Sequence, residues 1–424
     1  GGVSGWVEVY RAALRACEVP AWTDRRALLE LMLAQASNVP TMVQLYRYLD
    51  DGGARSYLRA AILRRVRTPA DLRAVRDAFG LSSGVDFALV EQVLARATTP
   101  ALKIRALRQL VLQYPDSFDL KLRLLSELEA SSKLPEAKRL AELLRRDPLA
   151  DAGVRTAIGE MYLRLSDESE ARRVFSEIVE FAPQDELARR RLGDLYRAHG
   201  WYEDAYRQYQ TLATIRPDDP SVSLLLAQAA AGAGRIDEAL RLEQKLAETA
   251  EPGASEGIAR TALLWSSVRF AELRKAARDA HDDAKLAALA QRMRRSGVLR
   301  EAGAMRVSLV WSHPDAGLSL WASHPGLSLV RPDDLSPEYG LEAFDVREQE
   351  SGAYAIEVRR TGGDARTAVE GKLVVVWNEG TASEKIEVVP LRFDITHRAY
   401  AWRVTGDALA GAPLSSAASS LEGT

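Results

Sequence analysis

The chain has 424 residues, more than one hydrophobic core normally serves, so several structural units are expected. Its 57 Lys and Arg against 59 Asp and Glu leave a net charge of −2, without the basic footprint of a nucleic-acid binder. No apolar run reaches the roughly 18 to 20 residues of a membrane-spanning helix, and Cys17, the single cysteine, excludes an intrachain disulfide and a thiolate zinc site.

The chain opens Gly1-Gly2-Val3 without a methionine, the start expected of a processed product. From Val3 to about Gly297, apolar residues return every three or four positions, with Pro, Gly or Asp between segments, which predicts helices throughout. Residues 1–115 read as about three helix pairs. Across 116–252 a 34-residue period emerges in Pro115, Pro183 and Pro217, in Gly159 and Gly193, in Ala171 and Ala205, and in Phe175 and Tyr209. Two copies are complete: Ile158-Gly159, Tyr162, Ala171, Phe175 and Pro183, then Leu192-Gly193, Tyr196, Gly200, Ala205, Tyr209 and Pro217. Two are degenerate: Leu124, Leu128, Ala137 and Pro148 upstream, and Leu226, Ala227, Gly234 and Ala239 downstream. In the last of these, Ala230 and Glu243 replace the aromatic residues.

These positions resemble the tetratricopeptide repeat, which implies a stack of antiparallel helix pairs. Small residues let paired helices approach, the aromatics fill the space between one pair and the next, and proline ends the second helix. Residues 253–299 predict two longer capping helices, 256–274 and 275–295, stopped by Gly297. Their basic run (Arg269, Arg274, Lys275, Arg278, Arg292, Arg294, Arg295) is interleaved with acids and reads as a solvated face, with an anionic docking surface as the alternative.

At Met305 the period changes to alternation: Met305, Val307, Leu309 and Trp311 point one way, Arg306 and Ser308 the other. Further alternating segments around Leu318-Leu320, Tyr354-Ile356-Val358, Leu373-Val375-Trp377, Ile386-Val388 and Tyr400-Trp402-Val404 predict seven or eight strands over 303–405. Residues 406–424 read as a flexible tail. The fold class is therefore α+β multidomain: a tetratricopeptide-like α-solenoid, then an antiparallel β-sandwich.

The phrases Arg306 to Trp311, Leu318-Ser319-Leu320, Pro337-Glu338-Tyr339-Gly340, Ser351 to Tyr354 and Gly371 to Trp377 resemble the YfaP-type domain of bacterial envelope proteins. That family often also carries VIT and von Willebrand A domains. The resemblance implies a periplasmic or cell-envelope setting, while the single cysteine is compatible with a cytoplasmic one as well. Where that family tends to carry paired aspartates, this chain keeps only Asp315, which argues against a calcium site.

No nucleotide loop, zinc-protease helix or serine-hydrolase elbow is present, and no cofactor is expected. Two histidine turns, Ser312-His313-Pro314-Asp315 and Ser323-His324-Pro325, suggest a zinc-dependent hydrolase using His313, Asp315 and His324, against the simpler reading of Pro-containing turns. Trp311, Trp377 and Trp402 share the phase of their strands' core residues, whereas Trp321 is out of phase and is a candidate glycan contact. First helices of such pairs line a groove, predicting Glu160, Arg164, Arg190, Asp194, Arg197 and Gln228, with Ser221, as its surface. The sequence thus favours a non-enzymatic scaffold for a protein or peptide partner, with the sandwich as a second contact surface. A carbohydrate-reading sandwich on a helical spacer is the alternative.

Overall fold

A left-handed turn residue recurs every 34 positions at Ser132, Ser166, Gly200 and Gly234, with φ of 57°, 59°, 72° and 81°. Each is followed by the same helix-ending hydrogen bond: Lys133 N–H to Leu128 O, Asp167 to Tyr162, Trp201 to Tyr196 and Arg235 to Ala230. The first-helix caps Ser117, Asp151, Asp185 and Asp219 keep the same interval. Four helical hairpins therefore share one geometry. Only two of the four turns carry the glycine that such a φ favours, which is why the register is fainter upstream in the sequence.

The computed structural model describes residues 2–16, 22–49, 51–79, 84–249, 256–298, 304–324, 327–330, 339–346, 353–363 and 367–414. Seven helices precede the hairpins: α1 (Val3–Ala16), α2 (Trp22–Gln35), α3 (Val39–Tyr48), α4 (Gly52–Leu63), α5 (Pro69–Phe79), α6 (Phe87–Leu94) and α7 (Pro100–Gln113). The hairpins are α8 (Phe118–Ala130) with α9 (Leu134–Arg145), α10 (Ala152–Arg164) with α11 (Glu168–Glu180), α12 (Glu186–Ala198) with α13 (Tyr202–Ile215), and α14 (Pro220–Gly232) with α15 (Ile236–Thr249). Two capping helices follow, α16 (Glu256–Asp279) and α17 (Asp283–Arg295), so the break falls at His281 (φ 53°) rather than between residues 274 and 275.

The chain forms two compact units, Gly1–Glu177 and Ile178–Thr424. In the first, a Cβ on Gly159 would lie 2.2 Å from the Phe175 ring. In the second, one on Gly193 would lie 2.7 Å from Tyr209. Phe175 and Tyr209 thus fill the inside of their own hairpins rather than the space between successive pairs that the repeat pattern predicts for them. The first unit also closes the Arg145 and Arg155 cations over Glu177, which is largely buried.

In the second unit the strands are β1 (Met305–Trp311), β2 (Leu318–His324), β3 (Leu327–Val330), β4 (Leu341–Val346), β5 (Ala353–Arg360), β6 (Val369–Trp377), β7 (Lys385–Phe393), β8 (Ala399–Thr405) and β9 (Ala408–Leu414). They build two antiparallel sheets, β4-β1-β6-β7 and β3-β2-β5-β8-β9. β9 corrects the expected tail from 406 onward, since Ala408 to Leu414 pairs along the whole of β8; the remainder, 415–424, lies outside the described residues. Trp311, Trp377 and Trp402 sit in the shared core with Leu320, Ile356 and Phe393. The sandwich and the helices from 178 onward fall in one compact unit.

Gly159→Ala tests the hairpin packing. Alanine gains about 1 kcal/mol of helix propensity, but the methyl meets a fully buried Phe175 and overpacking costs about 1 to 3 kcal/mol. Net destabilisation is expected in chemical denaturation, relieved by adding Phe175→Leu; a more stable Gly159→Ala would contradict the contact.

Candidate functional site

The centre of sheet β4-β1-β6-β7 is buried on both faces. Along β6, Leu373, Val375 and Trp377 point into the sandwich, while Val374 and Val376 point out and are equally buried. The outer residues, joined by Val310, Leu341, Ala343 and Ile386, pack against Val268 and Ala271 of α16, with Leu264 and Trp265 alongside. A strand buried on both sides reads as a continuous apolar run, as Leu373-Val374-Val375-Val376-Trp377 does. The other sheet keeps strict alternation along β5 and β8 because no element covers its outer face among the described residues.

Polar contacts fix this seam. The backbone carbonyl of Tyr339 accepts from Gln228 Nε2 at 2.8 Å and from Trp265 Nε1 at 3.0 Å. Gln228 Oε1 in turn accepts from Arg197, whose guanidinium lies 3.6 Å from Asp194, and Asp194 accepts the Tyr209 hydroxyl at 2.6 Å. Burial, with Asp194 beside it, pushes the Tyr209 phenol well up and keeps it neutral and donating. Gly340 follows with φ 62°, and a Cβ there would lie 1.9 Å from the Trp311 carbonyl, so only glycine fits.

Farther along α16, Arg274 is buried between Glu379 at 2.9 Å and Glu384 at 2.5 Å, both in the β6–β7 turn. Arg278 adds a second contact to Glu384 at 3.1 Å. Arg306 of β1 reaches Glu379, Asp345 and the Ser267 hydroxyl. Burial opposes its charge, but Glu379 and Asp345 outweigh that and raise its pKa. At Glu243, where the repeat pattern expects an aromatic, the fully buried carboxylate takes Arg269 at 2.7 Å and Ser266 at 3.1 Å, tying α15 to α16. Burial raises the Glu243 pKa, and the two donors pull against that rise. Two of the seven residues of the basic run, Arg269 and Arg274, are therefore spent inside the unit, while Arg294 and Arg295 are exposed as a solvated face requires.

Between the last hairpins and the uncovered part of this sheet face lies a cleft of about 770 Å³. It is lined by Tyr202, Gly232 and Ile236 of the hairpins, by Gln228, Trp265 and Val268, and by Val310, Lys372, Pro390 and Arg392 of the sheet. Apolar lining is mixed with the charged groups of Arg197, Arg269, Glu272, Glu370, Lys372 and Arg392, and a cleft of this volume is large enough for a ligand.

The predicted groove residues divide. Arg197 and Gln228 are largely buried at the seam, where the chain's own sandwich lies against them, and both contribute to the lining of the cleft. Asp194 is turned toward Tyr209 and is paired with Arg190 at 3.9 Å. Glu160 is half-buried in the first unit, and Arg164 there is held by both carboxylate oxygens of Glu129. Trp321 is half-buried on the uncovered sheet, its Nε1 donating to Ser319 Oγ at 3.0 Å. Of the histidine turns, His313 stacks edge-on to His199 and Asp315 pairs with Arg191 at 3.1 Å; the His324 side chain, Pro325 and Gly326 lie outside the described residues. Among the described residues no group of three His, Cys, Asp or Glu is placed to hold a metal. Cys17, Pro337, Glu338, Ser351 and Gly352 also lie outside them.

No protein-family profile and no curated protein sequence matches the chain. Among solved structures it is similar to the Naa15/Naa10 complex bound to HypK-THB, at 18% identity and TM-score 0.32 over 50% of this chain. It spans 35% of that chain's length. A tetratricopeptide repeat protein from Parabacteroides merdae aligns at 16% identity and TM-score 0.29, over 59% of this chain and 96% of that one. MamA aligns at 18% identity and TM-score 0.25, over 37% and 88%. Helices α8 to α15 form four hairpins of tetratricopeptide-like geometry, sharing recurring turns and caps, with glycine–aromatic contacts inside two of them.

Arg274→Ala is expected to cost about 3 to 5 kcal/mol, since it leaves two buried carboxylates without their main partner. Lys275→Ala, which removes only an exposed pair with Asp279, stays within about 0.5 kcal/mol. Equal effects of the two in urea denaturation would contradict the buried latch.

Proposed function

We propose that this protein is a non-enzymatic interaction scaffold that holds a peptide segment of a partner protein in the cleft between its last hairpins and the sandwich. The observation that carries this reading is the cleft itself: about 770 Å³, lined from two sides by elements held together by buried contacts. A preorganised site loses little entropy on binding, because its walls are already ordered. Both expected roles, a repeat surface and a sandwich contact, then meet in one place. The first-helix pair Arg164 and Glu129, with Glu160, is proposed as a further partner contact in the first unit. The resemblance of the sandwich to the YfaP-type domain supports a bacterial envelope assembly as the setting.

A second reading has its own support. The outer face of the β3-β2-β5-β8-β9 sheet is uncovered among the described residues and carries the half-exposed Trp321 ring, a platform on which a sugar can stack.

To separate them, Lys372→Cys in a Cys17→Ser background is labelled with a bulky maleimide at the cleft mouth, and random displayed peptides are selected on the unlabelled protein. Selected peptides are expected to bind at least tenfold more weakly after labelling, with no effect of Trp321→Ala. Peptides indifferent to the label would overturn the cleft reading, and cell-wall polysaccharide binding lost with Trp321→Ala would support the glycan reading.

A further inference from the structure

The cleft also has features that select among peptides. Resting on the reading that it holds a peptide, we infer that its occupant is an apolar segment bearing one acidic side chain, which lies across the sheet face with its carboxylate on Arg392.

One constraint is that β7, an edge strand, is closed to strand addition around the cleft. In this stretch Pro390 has no N–H to donate. The next outward-facing residue, Arg392, has both backbone groups taken by one side chain: its N–H donates to the Tyr400 hydroxyl at 3.3 Å, and that hydroxyl donates to its carbonyl at 2.6 Å. Nearer the start of the strand, the carbonyl of Glu384 accepts from Arg278. Covered edges of this kind stop another chain from extending a sheet. A peptide entering the cleft therefore uses side chains against the sheet face, not a backbone ladder.

A second constraint is the balance of charge at the mouth. Lys372 is committed to Glu272 at 2.6 Å. Arg392 is different: its guanidinium makes no hydrogen bond among the described residues. Its acidic neighbours Glu370 and Asp394 stand off at 3.7 and 3.8 Å, beyond good hydrogen-bond distance. Asp394 is engaged in its own turn, accepting from Thr396 N, Thr396 Oγ1 and His397 N. The planar fork of an arginine matches a carboxylate with two parallel hydrogen bonds, so Arg392 holds donors that a ligand acid satisfies better than its present neighbours do.

The third constraint is the surrounding surface. Lys372 and Arg392 are diagonal neighbours across β6 and β7, with Pro390 opposite Lys372. Beyond them the lining of this face is apolar at Val310, Val268 and Trp265, whereas Leu391 and Tyr400 belong largely to the sandwich core. A chain passing the fork thus lays apolar side chains along this face, and the acid comes from a side chain rather than a chain terminus.

The test uses the full chain and two pools of fluorescein-labelled octapeptides, acetylated and amidated at their ends, with randomised apolar residues around a central Glu or a central Gln. The Glu pool is expected to bind at least tenfold more tightly in fluorescence anisotropy. The preference should shrink as salt rises, disappear in Arg392→Gln with an unchanged thermal melt, and persist in part in Arg392→Lys. Equal binding of the two pools, abolished by the label at position 372, would overturn this inference and leave the cleft reading standing. Binding that survives the label would overturn both. Failure of both pools to bind, while the selected peptides still do, would overturn the acidic requirement alone. Tighter binding of a Gln pool left with free C-terminal carboxylates would assign the anion to a chain terminus and likewise overturn it.

Discussion

One backbone carbonyl, that of Tyr339, accepts two side-chain N–H donors from different helices, and the second unit is organised around that meeting point. An amide donor buried without an acceptor costs about 1 to 3 kcal/mol, so Gln228 and Trp265 are satisfied together only with the sandwich in place. The chain of contacts behind Gln228 carries the same requirement back through Arg197 and Asp194 to Tyr209, which packs on Gly193 inside its hairpin. The packing of one repeat and the position of the sandwich are thereby parts of one network.

Charge reinforces what apolar contact begins. Val268 and Ala271 lie on Val374 and Val376, and a buried group of arginines and glutamates closes the far end of the same seam. Ion pairs buried this deeply offer little net gain over apolar residues of similar size, but breaking one is costly. Their effect is to select one seating of α16 on the sheet. That fixed seating makes a cleft of constant shape between elements distant in sequence, and a constant shape is what recognition of a short segment requires.

The sequence made the hairpins and the strands legible because each has a local period. Gly159, Gly193, Phe175 and Tyr209 are visible by spacing alone, and Trp321 is separated from the three core tryptophans by phase alone. Ser132 and Ser166 were silent because a left-handed turn tolerates serine when the surrounding hairpin enforces it. The seam was hidden for a different reason: it joins residues distant in sequence, such as Arg274 and Glu384, 110 positions apart, whose types are those of any surface. Two signals were nonetheless present. The run from Leu373 to Trp377 lacks the polar alternation of an exposed sheet face, and Glu243 stands where a repeat calls for an aromatic ring. Each marks a place where a second layer was required. Read that way, they account for Arg197 and Gln228 being covered, although their helix positions are those of groove residues.

Native-state hydrogen exchange on the intact chain shows whether the last repeats and the sandwich are one cooperative structure. In that case the amides of α16 from 264 to 274 and those of β6 from 373 to 377 open with the same free energy and respond equally to denaturant. Opening of α16 at much lower free energy while β6 stays protected would make the two merely adjacent and contradict a shared network.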